Sequence, residues 1–308
     1  MALKESKYIW HDGKIVPWKE AKVHVLTHAL HYGSSVFEGI RVYKSPKGSV
    51  AFRLTDHILR MKNSAKIYYM EIPYTVEDLV SSCKEIVKKN NLLEGSYIRP
   101  IAYRGYGEMG VAGNHEEPAT CSIAAWEWGS YLGDNGLEDG VDVCVSSWQR
   151  VSPNTLPSLA KAGGNYLSSI LITLEAKRQG FTEGIALNQG GFISEGAGEN
   201  IFLASAGKLI TPPSTASILP GLTRDTVIRL AKEINIEVVE QDIPREMLYI
   251  ADEVFLTGTA AEITPVKSID RIKVGSGSRG PMTKKLQESF FGLFDGSTKD
   301  NHGWLELI

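Results

Sequence analysis

The sequence predicts an α/β (α+β) protein of two domains, and three observations predict it. At 308 residues the chain is about twice the common domain length of roughly 150 residues. Short runs of apolar–polar alternation are interleaved along it with stretches of helical period. Between Gly129 and Gly140 the hydrophobic pattern lapses and glycines 129, 133, 136 and 140 accumulate. That marks 129–140 as a linker between a domain of residues 1–128 and a domain of residues 141–308.

Taken in order, Tyr8-Ile9-Trp10 and Ile15-Val16 flank Asp12-Gly13, a pair that tolerates positive φ, and read as a hairpin. Lys22 to Leu26 alternates as a strand. Val36 to Tyr43 and Ser49 to Leu54 form two more around the turn Ser45-Pro46-Lys47-Gly48. A helix is expected from about Asp56, with Thr55 as N-cap and Leu54, Ile58, Met61 and Ala65 as its apolar stripe. Thr75 and Asp78 make a capping box for a second helix, which buries Leu79, Cys83, Ile86 and Val87 and ends at Asn90-Asn91. Strands over Tyr97 to Tyr103 and Cys121 to Trp128 complete the first α/β unit. In the second half Val141 to Ser147 is a strand. Tyr166 to Gln179 is a helix by its stripe of Leu167, Ile170, Leu171 and Leu174, with Gly180 at C′. Strands follow around Ile185, Phe192, Ile201 and Leu209, then a helix near Arg224 that buries Val227, Ile228, Ala231 and Ile234. Strands near Val238 and over Val254 to Leu256 precede a last helix carrying Leu286, Phe290, Leu293 and Phe294.

The totals exclude several function classes. An apolar share of 43% and a charged share of 22% are those of an ordinary soluble globular chain. A net charge of −3 gives no reason to expect nucleic acid or an anionic membrane as partner. Cys83, Cys121 and Cys144 are odd in number, far apart and in no C-x-x-C arrangement, which points to a reducing, cytoplasmic setting without disulfides or a zinc framework. Residues 1–12 hold Lys4, Glu5 and Lys7 and no continuous apolar core, so neither a signal nor a transit peptide is expected. No apolar run approaches the ~18 residues of a membrane span.

Chemistry concentrates between Ala160 and Asn200. Lys161 is followed by Ala162-Gly163-Gly164 and approached past Pro153 and Pro157, as for an amine held in a tight, backbone-lined pocket. Burial disfavours an ammonium, and the neutral amine is the nucleophile that Schiff-base chemistry needs. A surface lysine in a flexible loop is the bland alternative. Further on, Ser194-Glu195-Gly196-Ala197-Gly198-Glu199-Asn200 offers two carboxylates, Glu195 and Glu199, and residue physics does not choose between them. Leu219-Pro220-Gly221-Leu222-Thr223-Arg224-Asp225 is a glycine turn feeding a helix, whose first amides can cup an anion. Thr223 could equally be no more than an N-cap. In Tyr97-Ile98-Arg99-Pro100 the two-residue period puts Tyr97 and Arg99 on one face, where a phenol and a guanidinium can hold a carboxylate.

Two motifs mislead. Gly105-Tyr106-Gly107-Glu108-Met109-Gly110 fits G-x-G-x-x-G after a strand, but residues 111–118 cannot easily open the helix a dinucleotide site requires. His24, His28 and His31 have helical spacing, yet Lys22 to Leu26 reads as strand and no metalloprotease glutamate accompanies them, so no metal is expected.

The stretches HALHYGSSVFEGIR (28–41), YIRP (97–100), AKAGGNYLSS (160–169), SEGAGEN (194–200), LPGLTRD (219–225) and TGTAAEITPV (257–266) closely resemble those of the branched-chain amino acid aminotransferases. These are pyridoxal 5′-phosphate enzymes of the D-amino-acid-aminotransferase-like fold, fold type IV. The likeness spans nearly the whole chain with its motifs in consistent order. It implies a smaller N-terminal sheet-and-helix domain, a larger barrel-like C-terminal domain and a homodimer or homohexamer. It also implies transfer of the amino group of L-leucine, L-isoleucine or L-valine to 2-oxoglutarate, giving L-glutamate.

Residue by residue, the resemblance makes Lys161 the Schiff-base lysine and proton shuttle, and Glu195, rather than Glu199, the partner of the pyridine nitrogen. Tyr166 matches the tyrosine on the phenolic oxygen. The phosphate falls to Arg60, to the amides of Leu222 and Thr223 in the cup opened by Leu219, and to the Gly258-Thr259 turn. Tyr97, Thr259 and Ala260 match the α-carboxylate site, and Arg99, with Tyr32 and Tyr131, the site of glutamate's distal carboxylate. Phe37, Tyr32, Trp128 and Tyr166 match the pocket for the branched side chain, and Met109 and Val111 a loop that reaches the neighbouring subunit's site. D-amino acid aminotransferase and aminodeoxychorismate lyase are the rivals within the fold, and FEGIR and YIRP favour the branched-chain enzymes. A non-catalytic anion-binding protein using only the Gly221 cup is the rival of another class.

Overall fold

The computed structural model describes residues 3–113, 115–129, 132 and 135–308. The chain forms two compact units: Met1–Gly129 with Ala160–Gly164 and Phe294–Ile308, and Ser130–Leu159 with Asn165–Leu293. Where the sequence suggests a single cut, the lysine-bearing stretch and the C-terminal segment are thus counted with the first unit.

The first unit contains β1 (Tyr8–His11), β2 (Lys14–Pro17), α1 (His28–Tyr32), β3 (Ser35–Phe37), β4 (Ile40–Ser45), β5 (Gly48–Phe52), α2 (Leu54–Ile67), α3 (Val76–Lys89), β6 (Ser96–Tyr103) and β7 (Thr120–Glu127). The second contains α4 (Gly136–Asp139), β8 (Val141–Val145), α5 (Tyr166–Arg178), β9 (Glu183–Leu187), β10 (Ile193–Gly196), β11 (Asn200–Ser205), β12 (Lys208–Thr211), α6 (Leu222–Glu233), β13 (Val238–Glu240), α7 (Met247–Ile250), β14 (Glu253–Gly258), β15 (Glu262–Ile269) and β16 (Ile272–Lys273). The last helix, α8 (Pro281–Asp295), precedes β17 (Leu305–Leu307), which returns to the first unit.

The first sheet runs β17-β5-β4-β6-β7-β1-β2, with β3 also on β6. The hairpin of β1 and β2 turns at Asp12 and Gly13, both at positive φ as their side chains permit. On α2 the residues Leu54, Ile58, Met61 and Ala65 are buried, and on α3 Leu79, Cys83, Ile86 and Val87 join them in one core. Thr75 and Asp78 close the capping box of α3. The expected single strand over Val36 to Tyr43 is two, β3 and β4, broken at Glu38-Gly39. Opposite the break lies Pro100, whose carbonyl accepts the Glu38 amide. On a strand a residue's N–H and C=O point to the same side, so the donor that proline lacks faces the break and no bond to β7 is lost.

Other local expectations fail as well. Lys22 to Leu26 is not a strand: it pairs with no sheet edge, and Val23 and Val25 are exposed. Alternation alone does not supply ladder partners. Thr55 does not cap α2: the N-cap is Arg53 in the left-handed region, and the Thr55 hydroxyl bonds Glu306 instead. Finally, α5 buries Ser169, Ile172, Glu175 and Ala176, leaving Leu167, Ile170, Leu171 and Leu174 exposed. Ile172 occupies the space left by Gly184 of β9, where a Cβ would lie 2.6 Å from its Cγ2.

The second unit is the curled, barrel-like sheet of this architecture, in the order β10-β9-β8-β15-β14-β11-β12-β13, with β16 on β15. It is mixed: β8 runs parallel to β9 and β15, and β13 parallel to β12. Val143, Ile185, Ile201, Leu203, Leu256 and Ile269 fill its core, and α6 presents Val227, Leu230 and Ala231 as its buried face.

Candidate active site

Lys161 is seated by backbone on both sides. Its carbonyl accepts the Phe37 amide at 3.1 Å, its amide donates to Ser64 Oγ at 3.0 Å, and Ala162 makes an isolated bridge to Val36. The two glycines after it permit this approach. A Cβ on Gly163 would lie 2.3 Å from Ser35 Oγ, and one on Gly33 would lie 3.2 Å from Gly164 Cα. The Lys161 Nζ lies 5.0 Å from the centroid of the Phe37 ring. The Arg99 guanidinium lies 4.7 Å from the same ring.

Around Arg99 the aromatics close in. Its Nη2 donates to the Tyr97 hydroxyl at 3.3 Å, and the rings of Tyr97 and Trp126 lie 5.3 and 5.9 Å from its guanidinium carbon. Trp128 stacks on Tyr97 at 4.5 Å. The buried Arg99 Nε has no hydrogen-bond partner among the described residues, so part of a cation is held ready for an acceptor. Gly39 makes room for the phenol: a Cβ there would overlap the Tyr97 hydroxyl at 1.7 Å. That is the physical reason for glycine in FEGIR.

Arg60, on α2, is not solvated. Its Nε and Nη2 donate to Glu38 at 2.7 and 2.9 Å, and His57 Nδ1 donates to the same carboxylate at 2.6 Å. Burial alone would push the Glu38 carboxyl up, but Arg60 and His57 outweigh it and hold it well below the usual carboxylate range. For His57 burial prevails and lowers its pKa, against the pull of Glu38 and with help from the charges of Arg60 and Lys161.

In the second unit Glu195 is buried, and donors on both of its oxygens fix the carboxylate plane. Arg150 Nη2 donates to Oε1 at 2.7 Å, while Asn200 Nδ2 and the Leu219 amide each donate to Oε2 at 3.0 Å. Asn200 also donates to the Leu219 carbonyl at 2.9 Å, tying the carboxylate to the anion cup. The rival Glu199 is also buried, but its Oε2 accepts the adjacent Gly198 amide. The cup forms as the sequence suggests, except that Gly221, not Thr223, is the N-cap of α6, and no side chain caps the helix. A Cβ on Gly221 would lie 2.0 Å from Asn200 Oδ1, so only glycine leaves that amide in place. Gly258 ends β14, and Thr259 and Ala260 turn half-buried into β15.

The structure therefore gathers Lys161, Phe37, Tyr97, Arg99 and Trp128 in the first unit, with Arg60 on its α2, and Glu195 with the Leu219–Thr223 cup in the second. Tyr166 opens α5, half-buried. Tyr32 is 46% exposed and packs on His28 and His31. Met109 and Val111 are exposed. Tyr131 lies outside the described residues. The histidines that mimic a metal site serve locally: His24 packs edge-on against Tyr106, and His28 bridges Ser34 Oγ and the Gly110 carbonyl. Gly105–Gly110 enters turns, with no helix before β7 among the described residues.

Sequence reasoning missed Glu38, His57, Ser64, Arg150 and Asn200. Two carried a signal, since Glu38 and Asn200 lie inside motifs already singled out. His57 carried another, being a polar residue one turn from Leu54 on an apolar helix face. Ser64 and Arg150 carried none.

The model of class IV amino-transferases matches residues 35–269. The branched-chain-amino-acid aminotransferase of Salmonella typhimurium is 55% identical over 308 residues, covering 100% of this chain and 99% of that one. A crystal structure of the Escherichia coli branched-chain amino acid aminotransferase superposes with a TM-score of 0.97 at 55% identity, covering 98% of this chain and 99% of that chain. The branched-chain amino acid aminotransferase of Thermobaculum terrenum, solved in its PLP holo-form, gives a TM-score of 0.90 at 36% identity, covering 97% of each chain. Fold and site define a class IV aminotransferase. Within that class, the chain belongs to the branched-chain-amino-acid aminotransferases.

Proposed function

We propose that this chain carries out pyridoxal 5′-phosphate-dependent transamination between L-leucine, L-isoleucine or L-valine and 2-oxoglutarate, giving the branched 2-oxo acid and L-glutamate, with Lys161 as the reacting amine. The observation that carries the assignment of roles is the shared Phe37 ring, which holds the Lys161 amine and the Arg99 guanidinium at 5.0 and 4.7 Å. That shared contact supports reading Lys161 as the nucleophile and Arg99 as the carboxylate holder. The residues fit the cofactor by the chemistry of their donors. Glu195 is a buried acceptor locked by Arg150, Asn200 and Leu219, and the Gly221 cup opens a twelve-residue helix at its amide end.

When bound, the cofactor supplies an aldehyde for amine exchange and a ring that accepts the electron pair left by the departing α-proton. The protein does the rest. Lys161 Nζ takes the proton from the α-carbon of the amino acid and in the second half-reaction returns one to the carbon of 2-oxoglutarate. Glu195 holds the proton on the ring nitrogen, and Tyr166 donates to the phenolic oxygen. Leu222, Thr223, Gly258, Thr259 and Arg60 bind phosphate. Tyr97, Thr259 and Ala260 take the α-carboxylate. The aromatic wall of Phe37, Tyr32, Trp128 and Tyr166 accepts the branched side chain, while Arg99 serves the distal carboxylate of glutamate.

The active species is a homo-oligomer, to whose neighbouring site Met109 and Val111 reach. A reducing, cytoplasmic setting accords with three buried free thiols; burial pushes those of Cys121 and Cys144 up to about 12 and about 11. No helix among the described residues is long and apolar enough to cross a membrane.

Borohydride reduction of the yellow holoenzyme tests the assignment. The cofactor is expected to become fixed to the peptide containing Lys161, and the protein to turn over L-leucine but not D-alanine. Label on another lysine would refute the site, and turnover of D-alanine alone the substrate.

A further inference from the structure

We propose that Glu38, with His57 behind it, is a positioning residue that aims Arg60 at the cofactor phosphate; this rests on the reading of Arg60 as a phosphate ligand. Glu38 is fully buried and accepts the Nε–Nη2 edge of the guanidinium at 2.7 and 2.9 Å, a two-point contact that fixes the plane as well as the position of the group. Its Oε2 also accepts from His57 Nδ1 at 2.6 Å, so the carboxylate cannot swing without losing a second buried partner. Because a carboxylate is acceptor-only, Nδ1 is the nitrogen that carries the hydrogen. A carboxylate taken wholly out of water is expensive to keep. With Arg60 itself only 12% exposed, the pair is a buried one, whose mutual attraction does little more than offset the desolvation of its charges. The expense is explained if the guanidinium must already be oriented when an anion arrives.

The same helix turn also seats the lysine. Ser64 Oγ donates to the Arg60 carbonyl at 2.9 Å and accepts the Lys161 amide at 3.0 Å. One turn of α2 therefore sets both the proposed phosphate ligand and the backbone of the reacting residue. Glu38 itself is placed by the break between β3 and β4, its amide bonded to the Pro100 carbonyl at 2.9 Å.

A glutamine at this position has the shape of glutamate but only one acceptor oxygen. Its NH₂ would face the donors of Arg60 or His57, and the guanidinium would have to turn away. The test is equilibrium binding of pyridoxal 5′-phosphate and of pyridoxal to full-length protein, read as the ratio of the two dissociation constants. The ³¹P resonance of the bound cofactor is recorded in parallel. Glu38→Gln is expected to reduce the preference for the phosphorylated form about tenfold or more and to shift the ³¹P line, while pyridoxal binds as before. His57→Asn, which keeps a donor, is expected to retain the preference, and His57→Leu to lose it. If Arg60→Met lowers the ratio and Glu38→Gln does not, Glu38 is structural only and the proposal fails. If Arg60→Met leaves the ratio unchanged, the phosphate reading of Arg60 fails and takes the proposal with it. Should Glu38→Gln not fold, the two His57 variants decide alone, and equal ratios for them overturn it.

Discussion

Phe37 shows how much one residue can organise when two nitrogen-bearing side chains pack on a single ring. The Lys161 amine and the Arg99 guanidinium both lie within cation–π range of its ring. Much of this was legible in the chain: Tyr97 and Arg99 lie on one face by the strand period, and they meet as a hydrogen-bonded pair. What a strand period cannot reveal is the third party, because Phe37 arrives from β3 and Lys161 from a segment far along the sequence. A guanidinium packed among aromatics, with a buried Nε lacking a partner, suits an anion that comes and goes. Replacing Arg99 by glutamine is therefore expected to lower kcat/KM for glutamate by about tenfold or more, as for the loss of a hydrogen bond to a charged group. The value for leucine should move far less. Equal losses in steady-state kinetics would remove Arg99 from the distal-carboxylate role.

Elements were most legible where local chemistry alone decides them. The capping box of α3 needs only Thr75 and Asp78 in register, and the β1–β2 turn needs only two residues that accept positive φ. They were least legible where a distant partner overrides the local signal, as when Glu306 takes the Thr55 hydroxyl. Asp270 is another such long-range tie. It follows β15, and it accepts from the Val145 amide of β8 at 2.9 Å and from Arg245 and Tyr249 at 2.7 Å. Burial alone would raise its carboxyl, but these donors outweigh burial and lower it. A lowered carboxyl stabilises the fold above its ordinary range and loses that contribution as pH falls through the lowered value. Asp270→Asn is thus expected to cost about 2 kcal/mol at pH 7 in urea unfolding. The difference from the parent should shrink as pH drops below about 4; a difference that stays constant on acidification would contradict the assignment.

At the scale of the whole molecule the telling feature is α5, whose Leu167, Ile170, Leu171 and Leu174 face solvent. Contiguous exposed apolar surface is unusual on a monomer, and a second copy of the chain is the occupant the proposed homo-oligomer supplies. Leu167→Asp with Leu174→Asp is expected to lower the mass seen by light scattering while leaving the far-ultraviolet circular dichroism intact. An unchanged mass would place the interface elsewhere. The stripe also marks the boundary of what sequence can settle. Composition, period and motif determined the α/β character, the helices and strands that hold the core, and the family, and singled out the lysine proposed to react, because these depend on neighbours a few residues apart or on short motifs. The tertiary structure alone decided which face of α5 is buried, where Arg60 finds its carboxylate, and that Arg150 and Asn200 lock Glu195. Each of those depends on groups brought together by strand pairing and helix packing, and the energy of such a meeting leaves no trace in the local order of residues.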